Sequence, residues 1–236
     1  MKFKLRFLIS PYFIIRFYLL KDIRYYVEKY KFEGSVIDVG CGQKPFQYLF
    51  SNTQKYTGID FKGYSINKDF QSGKPDIFFK RNYIKTFKLP FKDNTFDNAV
   101  SFQVLEHHKD PDMMVKEITR VIKRKGLIMI TAPFLVGLHE GPNDFQRYTE
   151  FGLRELFKKN NCEVLDIKGQ GSVFSTIYMA VNENFNYFAA KSKFNYFISL
   201  IIYPLYLVYQ YVSLLLDPLI KTNSTIINYI VIAEKK

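Results

Sequence analysis

Two glycines on either side of a cysteine follow a short apolar segment, in the stretch VIDVGCGQKPF at residues 36–46. The apolar run predicts a strand, and Asp38, Gly40, Cys41 and Gly42 then lie at its carboxyl end. Because glycine has no Cβ, the backbone of such a turn can lie directly against a ligand. Ligands of open α/β sheets bind at the carboxyl ends of the strands. The stretch is therefore predicted to be a cofactor-binding turn.

An acidic residue ends the next apolar segment, in the sequence YTGID. This residue, Asp60, stands about 20 residues after the glycines, where a carboxylate accepts hydrogen bonds from ribose hydroxyls in dinucleotide-binding folds. The third glycine of the dinucleotide fingerprint is absent, since Pro45 occupies its position. For the glycine pair alone, a tight turn without a ligand is an equal alternative. Asp60 at this spacing favours a cofactor that contains a nucleoside.

The order of apolar and polar residues predicts strands that alternate with helices. The predicted strands are Ser35–Val39, Tyr56–Asp60, Ile77–Lys80, Phe96–Phe102, Leu127–Ala132, Glu163–Ile167 and Ile226–Ala233. The predicted helices are about Pro11–Tyr30, Gln43–Ser51, one that begins at Asp110 and Pro111, and one capped by Thr149. Continuous apolar strands between helices indicate a parallel sheet covered on both faces, which is an α/β fold.

Three further stretches extend the pattern. They are LPFKDNTFDNAVSFQVLEHHKDP at residues 89–111, RVIKRKGLIMITAPF at 120–134 and HEGPNDFQRYTEFGL at 139–153. With the first turn, they resemble the class I S-adenosylmethionine-dependent methyltransferases, of the type 11 group whose first strand ends D-x-G-C-G. The last stretch resembles members found with cell-surface glycan and lipid biosynthesis. The resemblance implies a Rossmann-like, seven-stranded, mostly parallel sheet with helices on both faces and an antiparallel last strand.

The resemblance also implies which residues bind the cofactor, S-adenosylmethionine. They are Asp38, Gly40, Cys41 and Gly42 at the methionine half, Asp60 at the ribose hydroxyls, Phe61 over the adenine, Asn82 at the adenine edge and Gln103 at the amino-acid or methyl end. Many relatives carry an acidic residue where this chain has Asn82, and a side-chain amide there can still contact adenine.

Catalysis of methyl transfer makes modest demands on side chains, because a sulfonium methyl group is already activated and the protein mainly positions the reactants. A general base is needed only for a poor nucleophile such as a hydroxyl. The predicted catalytic residues are His139, Asp144 and Arg147, with Glu140 as a further candidate. His139 would be the base, since histidine titrates near neutral pH, and Arg147 or Tyr148 would bind a carboxylate or phosphate of the acceptor. The alternative is that Asp144, Arg147 and Tyr148 form a structural corner before the next helix.

Two adjacent histidines, His107 and His108, stand before the helix that begins at Asp110. They are interpreted as loop or packing residues, with a place in the acceptor site as the alternative. The three histidines of the chain show no ligand spacing with acids or cysteines. No metal site is therefore predicted.

A long apolar stretch lies between the last two predicted strands. No charged residue occurs in the 23 residues from Phe194 to Leu216, which is long enough to span a bilayer. Pro204 is expected to divide the stretch, and a weakly polar stripe recurs at helical spacing: Ser199, Tyr203, Tyr206, Gln210, Ser213 and Asp217. Both flanking strands belong to one sheet, so the stretch between them cannot cross a bilayer just once. An interfacial or shallow re-entrant helical pair is favoured, with a helical cap or a dimer interface as the alternative.

Three parts are expected: a basic amphipathic helix at residues 1–31, a methyltransferase domain at 32–170 plus 226–236, and an apolar helical insert at 171–225. The formal net charge is +12 and aromatic residues make up 18% of the chain, which suits a nucleic acid or an anionic membrane. Because the aromatic and apolar residues are concentrated in the first and last of these parts, the membrane is favoured. Two cysteines cannot form a disulfide framework and indicate a reducing compartment.

The sequence thus predicts methyl transfer to a small-molecule, lipid-linked or surface-glycan acceptor at the inner face of the cell membrane, by a cytoplasmic or peripheral enzyme. The alternatives are a methyltransferase of RNA or another nucleic acid and a non-catalytic binding protein on the same fold. The absence of a recognisable RNA-binding module weakens the former, and the complete glycine turn weakens the latter. The oligomeric state is not predicted.

Overall fold

The structure is a computed structural model, and it describes residues 5–61, 73–79, 87–220 and 224–236. Seven strands form one sheet in the order β3-β2-β1-β4-β5-β7-β6. They are β1 (Ser35–Val39), β2 (Lys55–Phe61), β3 (Ile77–Phe79), β4 (Asn98–Phe102), β5 (Leu127–Pro133), β6 (Cys162–Gln170) and β7 (Asn228–Lys235). The strands β1 to β5 pair in parallel, and β7 is antiparallel to both β5 and β6. The predicted mostly parallel sheet with an antiparallel last strand is confirmed.

Six α-helices accompany the sheet in the described part of the chain. They are α1 (Leu5–Leu8), α2 (Phe13–Tyr30), α3 (Pro111–Val121), α4 (Glu150–Lys159), α5 (Val173–Ala190) and α6 (Lys193–Leu216). Polar caps start α3 and α4 as predicted. The Asp110 side chain accepts a hydrogen bond from the Met113 amide at 3.0 Å, and Thr149 accepts one from the Gly152 amide at 3.1 Å.

Alternate residues of the central strands belong to two apolar layers, one on each face of the sheet. Ile37 of β1 packs with α3 and α4, whereas its neighbour Val36 packs with α2. In β5, Ile128 and Ile130 belong to the first layer and Met129 to the second. Both faces of the sheet are therefore buried, which explains why these strands are apolar throughout.

The predicted helix Gln43–Ser51 is wrong. Only Gln47–Phe50 is helical, as one short 3-10 turn. Lys44 has a left-handed backbone with φ of +52°, and the next residue, Pro45, has no amide hydrogen to donate. The chain therefore leaves the glycine turn as a loop.

The insert consists of two packed helices, α5 and α6, and α6 continues through Pro204. Its polar stripe faces the protein: Ser199, Tyr206, Gln210, Ser213 and Asp217 are buried. Tyr178 of α5 donates to Gln210 Oε1 at 3.0 Å, and Tyr18 of α2 donates to Asp217 Oδ2 at 2.5 Å.

The opposite face of α6 is apolar and exposed. Its large exposed side chains include Phe194, Phe197, Leu200, Ile201, Leu205, Val208 and Leu215. Leu205 is 72% exposed and Leu215 is 76% exposed. Within the described ranges, the segment Lys193–Leu219 is the one helical stretch with the length and hydropathy of a membrane span. The helix thus has the inverse of the usual soluble pattern, because its polar side is inward and its apolar side outward.

Candidate functional site

The glycine turn lies where β1 ends and adopts a backbone that favours glycine. Gly40 has φ of +76°, and a Cβ there would lie 2.5 Å from the Val104 side chain. Gly42 has φ of +49°, and a Cβ there would meet no described atom within 4 Å. The first glycine is therefore required by packing, and the second borders open space in which a ligand can approach the backbone.

Asp60 fixes this turn to the end of β2. Its Oδ2 accepts a hydrogen bond from the Gly42 amide at 2.6 Å, and its Oδ1 accepts one from the Phe61 amide at 2.7 Å. The side chain is buried. Since each carboxylate oxygen can accept more than one hydrogen bond, Asp60 can hold the turn and also accept from ribose hydroxyls.

Asp38 lies at the base of the turn and is 2% exposed. Its Oδ2 accepts a hydrogen bond from the Tyr56 hydroxyl at 2.6 Å, whereas no described group bonds to its buried Oδ1. Burial raises the pKa of Asp38 to about 7, the Asp60 carboxylate raises it further, and Tyr56 and Lys44 oppose the shift. An unpaired buried carboxylate oxygen favours a cationic ligand group, such as the ammonium of a methionine moiety.

Lys44 is a residue of this site that sequence reasoning missed. It is buried, and its Nζ lies 2.6 Å from Asp76 Oδ1, while Asp76 Oδ2 accepts from the Gly58 amide at 2.7 Å. A Cβ on Gly58 would lie 2.7 Å from both the Lys44 Cε and the Cys41 Sγ. Burial raises the pKa of the Cys41 thiol, and its Sγ packs against Gly58.

Gln103 follows β4 with a left-handed backbone, φ of +56°. Its amide and its Nε2 both donate to Thr131 Oγ1 of β5, at 3.1 and 3.2 Å. Such a backbone in a residue other than glycine often marks a functional position. Phe61 ends β2 near the turn, and Asn82 lies outside the described residues.

Asp144 and Arg147 form a closed corner after β5. Arg147 donates bidentately to Asp144, at 2.5 and 2.7 Å, and its other N–H groups donate to the carbonyls of Val136, Gly137 and Gln146. Burial opposes ionisation of Asp144, yet Arg147 and the His139 amide hold its pKa at about 2. All five donors of the guanidinium are engaged, and this favours the structural alternative for these two residues.

His139, the predicted base, lies beside this corner. Its Nε2 is 3.7 Å from Glu106 Oε1, and the Glu106 carboxylate raises the pKa of His139 although burial opposes the shift. The insert reaches the same loop, since a Cβ on Gly137 would lie 2.8 Å from Glu183 of α5. His139 therefore lies in a polar loop that the insert contacts.

Residues 37–130, from β1 to β5, match the family described as "Methyltransferase domain". A sterol 24-C-methyltransferase of Gibberella zeae is 25% identical over 139 residues, which are 52% of this chain and 35% of that protein. A probable S-adenosylmethionine-dependent methyltransferase of Mycolicibacterium smegmatis is 24% identical over 135 residues, 57% of this chain and 51% of that one. The acceptors in the names of matched relatives range from a sterol and a hydroquinone to tRNA.

Among solved structures, the [4+2]-cyclase SpnF superposes with a TM-score of 0.58 at 20% identity, over 92% of this chain and 81% of that one. This likeness concerns the fold. The chain spans about a third of the length of one of the two curated relatives given above and about half of the length of the other. The family match includes Asp38 of β1, Asp60 of β2 and Gln103, which follows β4. Residues 37–130 therefore match a methyltransferase domain, and the fold of the chain is that of the class I S-adenosylmethionine-dependent methyltransferases.

Proposed function

We propose that the protein transfers a methyl group from S-adenosylmethionine to a small-molecule or lipid-linked acceptor, such as a surface-glycan precursor, at the inner face of the cell membrane. The observation that carries the proposal is the insert. Its apolar face is exposed, its polar stripe is bonded to the protein, and its first helix reaches the loop of His139.

The glycine turn and its neighbours would hold the cofactor. The unpaired Asp38 oxygen suits the methionine ammonium, Asp60 suits the ribose hydroxyls, and the open space beside Gly42 suits close approach of the ligand. The bound cofactor supplies an activated methyl group. The chain's own contribution is to position the acceptor at the Gln103 side and to exclude water there.

The exposed face of α6 supports a membrane surface as the place of action. Large aromatic and aliphatic side chains on one side of a helix bury themselves at the boundary of head groups and acyl chains. Exposed lysines lie at the junction of the two helices, Lys191 between α5 and α6 and Lys193 at the start of α6, and α2 exposes Lys21, Arg24 and Lys29. Cations near such a helix favour an anionic lipid surface.

A nucleic-acid acceptor is the second candidate, because the chain has a formal net charge of +12. A nucleic-acid acceptor would explain the positive charge but not the exposed apolar face of α6. An anionic membrane surface explains both features. A non-catalytic protein on this fold is the third, since one fold hosts many activities.

The direct test is calorimetric titration with S-adenosylmethionine, followed by incubation of the protein, labelled cofactor and membrane lipid extract. One cofactor per chain and label in the lipid fraction are expected. Label in added RNA instead would establish the nucleic-acid candidate. No cofactor binding would leave the non-catalytic one.

The affinity for the cofactor should rise with pH up to about 7. Burial raises the pKa of Asp38 to about 7, so the carboxylate of the free protein is mostly protonated at pH 5.5 and ionised at pH 7.5. A cationic ammonium binds the ionised form, and the dissociation constant should therefore fall by up to about tenfold per pH unit below 7. Calorimetry across this range checks it. Asp38→Asn keeps an acceptor for Tyr56, and in this variant the pH dependence should disappear; an equal slope in both proteins would contradict the assignment.

A further inference from the structure

A cluster of one carboxylate and two imidazoles lies beside the proposed acceptor site. Glu106 and His107 belong to the 3-10 turn Leu105–His107 that follows β4, and His139 follows β5. These two strands are parallel neighbours, so the segments after them meet at one edge of the sheet. The three residues are far apart in sequence and adjacent in space.

The distances suit a single small cation. Glu106 Oε1 lies 3.8 Å from His107 Nε2 and 3.7 Å from His139 Nε2, and the three ligand atoms lie within 4.8 Å of one another. Ligands about 2.1 Å from a metal in a tetrahedron are separated by about 3.4 Å. Small side-chain movements would bring these three atoms to that separation.

Both imidazoles are oriented to present the required nitrogen. His107 Nδ1 lies 2.8 Å from the Asn143 carbonyl oxygen, and His139 Nδ1 lies 3.1 Å from the Gly137 carbonyl oxygen. A carbonyl accepts a hydrogen bond and cannot donate one, so each Nδ1 carries the hydrogen in the neutral ring. The lone pairs are then on the two Nε2 atoms that face Glu106. Metal-binding histidines are commonly oriented by a backbone carbonyl in this way.

Glu106 supplies an independent observation. It is fully buried, and neither carboxylate oxygen has a hydrogen-bond partner among the residues that the structure describes. A buried carboxylate is strongly unfavourable unless it is paired or binds a metal. Its nearest ionisable neighbours are the two histidines at distances too long for hydrogen bonds.

We propose that Glu106, His107 and His139 bind a divalent first-row transition metal. Two imidazole nitrogens and one carboxylate match the ligands of such metals, whereas Mg²⁺ and Ca²⁺ prefer oxygen alone. Glu140 Oε2 lies 3.9 Å from His107 Nε2 and is half exposed, so it can complete the set from the solvent side. The positive charge of Arg147 is already neutralised by Asp144. Metal binding itself does not depend on the proposed function. Only the position of the metal beside an acceptor rests on that function.

The test uses the full chain without a histidine tag, freed of metal with a chelator. Co²⁺ is added while its visible absorption is recorded, and Zn²⁺ and Mn²⁺ are titrated by calorimetry. We expect one cation to bind per chain. We also expect bound Co²⁺ to show a visible absorption band that differs from that of Co²⁺ in water and is typical of coordination by nitrogen. Cofactor binding is measured separately, so a failure of this proposal and a failure of the methyltransferase proposal give different results.

Three variants complete the test. His139→Gln and Glu106→Gln should each weaken binding by more than about 100-fold, since they remove direct ligands. His108→Gln is the matched control, because His108 lies next to the cluster and contributes no ligand atom to it, and binding should be unchanged. His139 is partly exposed, so His139→Gln should fold, which its circular dichroism checks. No binding to the natural chain at about 1 mM cation, or undiminished binding in His139→Gln, would overturn the proposal.

Discussion

Replacement of Asp60 by alanine is expected to weaken the binding of S-adenosylmethionine by about 100-fold or more. The variant would lose the acceptor for the ribose hydroxyls and the two hydrogen bonds that fix the glycine turn, at 2.6 and 2.7 Å. Hydrogen bonds to a charged group contribute about 1.5–3 kcal/mol each, and a loss of about 2.7 kcal/mol is a factor of about 100. Calorimetric titration of the purified variant measures the change.

Two companion variants separate a local effect from unfolding. Asp60→Asn retains one acceptor oxygen and should lie between the natural protein and Asp60→Ala. Asp93→Ala removes a more exposed carboxylate that pairs with Arg120, and it should leave cofactor affinity unchanged. An Asp60→Ala protein that melts near the natural temperature and still binds the cofactor with natural affinity would refute the assignment of Asp60.

The second large effect is expected on the outer face of α6. The triple variant Ile201→Asp, Leu205→Asp and Val208→Asp should lose nearly all binding to anionic vesicles while its cofactor affinity stays the same. The three side chains are more than half exposed and lie on one side of the helix. Full burial of a large aliphatic side chain contributes about 1.5–3 kcal/mol, so the loss of three should reduce partitioning by at least about 1000-fold. Flotation with vesicles of anionic phospholipid measures it.

The control is an exposed aromatic ring on the opposite face of the sheet. Phe151 of α4 is 79% exposed, and α4 packs on the layer away from α2. Phe151→Asp should float with vesicles as the natural chain does. If the natural chain does not float, and migrates as a dimer that the triple variant abolishes, the apolar face is an interface between two copies.

The strands of the sheet could be predicted from the sequence where they are buried on both faces. β1 was predicted as Ser35–Val39 and has these bounds, because a run of apolar residues that ends at a glycine suits a strand buried on both faces. The helix caps Asp110 and Thr149 could also be predicted from the sequence. An N-cap requires only a polar side chain that accepts a hydrogen bond from the amide of the residue three positions later.

The errors have local physical causes. The prediction of a helix at Gln43–Ser51 was wrong because Lys44 has a left-handed backbone and its side chain packs against Gly58. The spacing of apolar residues in the sequence does not reveal this contact. Pro204 was expected to divide the apolar stretch, yet α6 is continuous: the helix lacks one amide donor at Pro204 and extends through it.

The candidate site shows the limit of spacing arguments most clearly. Sequence spacing placed the three histidines outside any ligand pattern, but the parallel pairing of β4 with β5 brings His107 to His139, at a ring separation of 4.9 Å. The role proposed for Glu106 was equally hidden, since the sequence does not show that its carboxylate is buried without a hydrogen-bond partner among the described residues.

The position of β7 determines the order in which this fold can be completed. β7 follows the insert along the chain, yet it lies inside the sheet between β5 and β6. Until β7 is in place, β5 and β6 each present an unpaired edge that invites aggregation. The helices α5 and α6 are synthesised before that strand. During translation the apolar insert therefore emerges while the domain is still open.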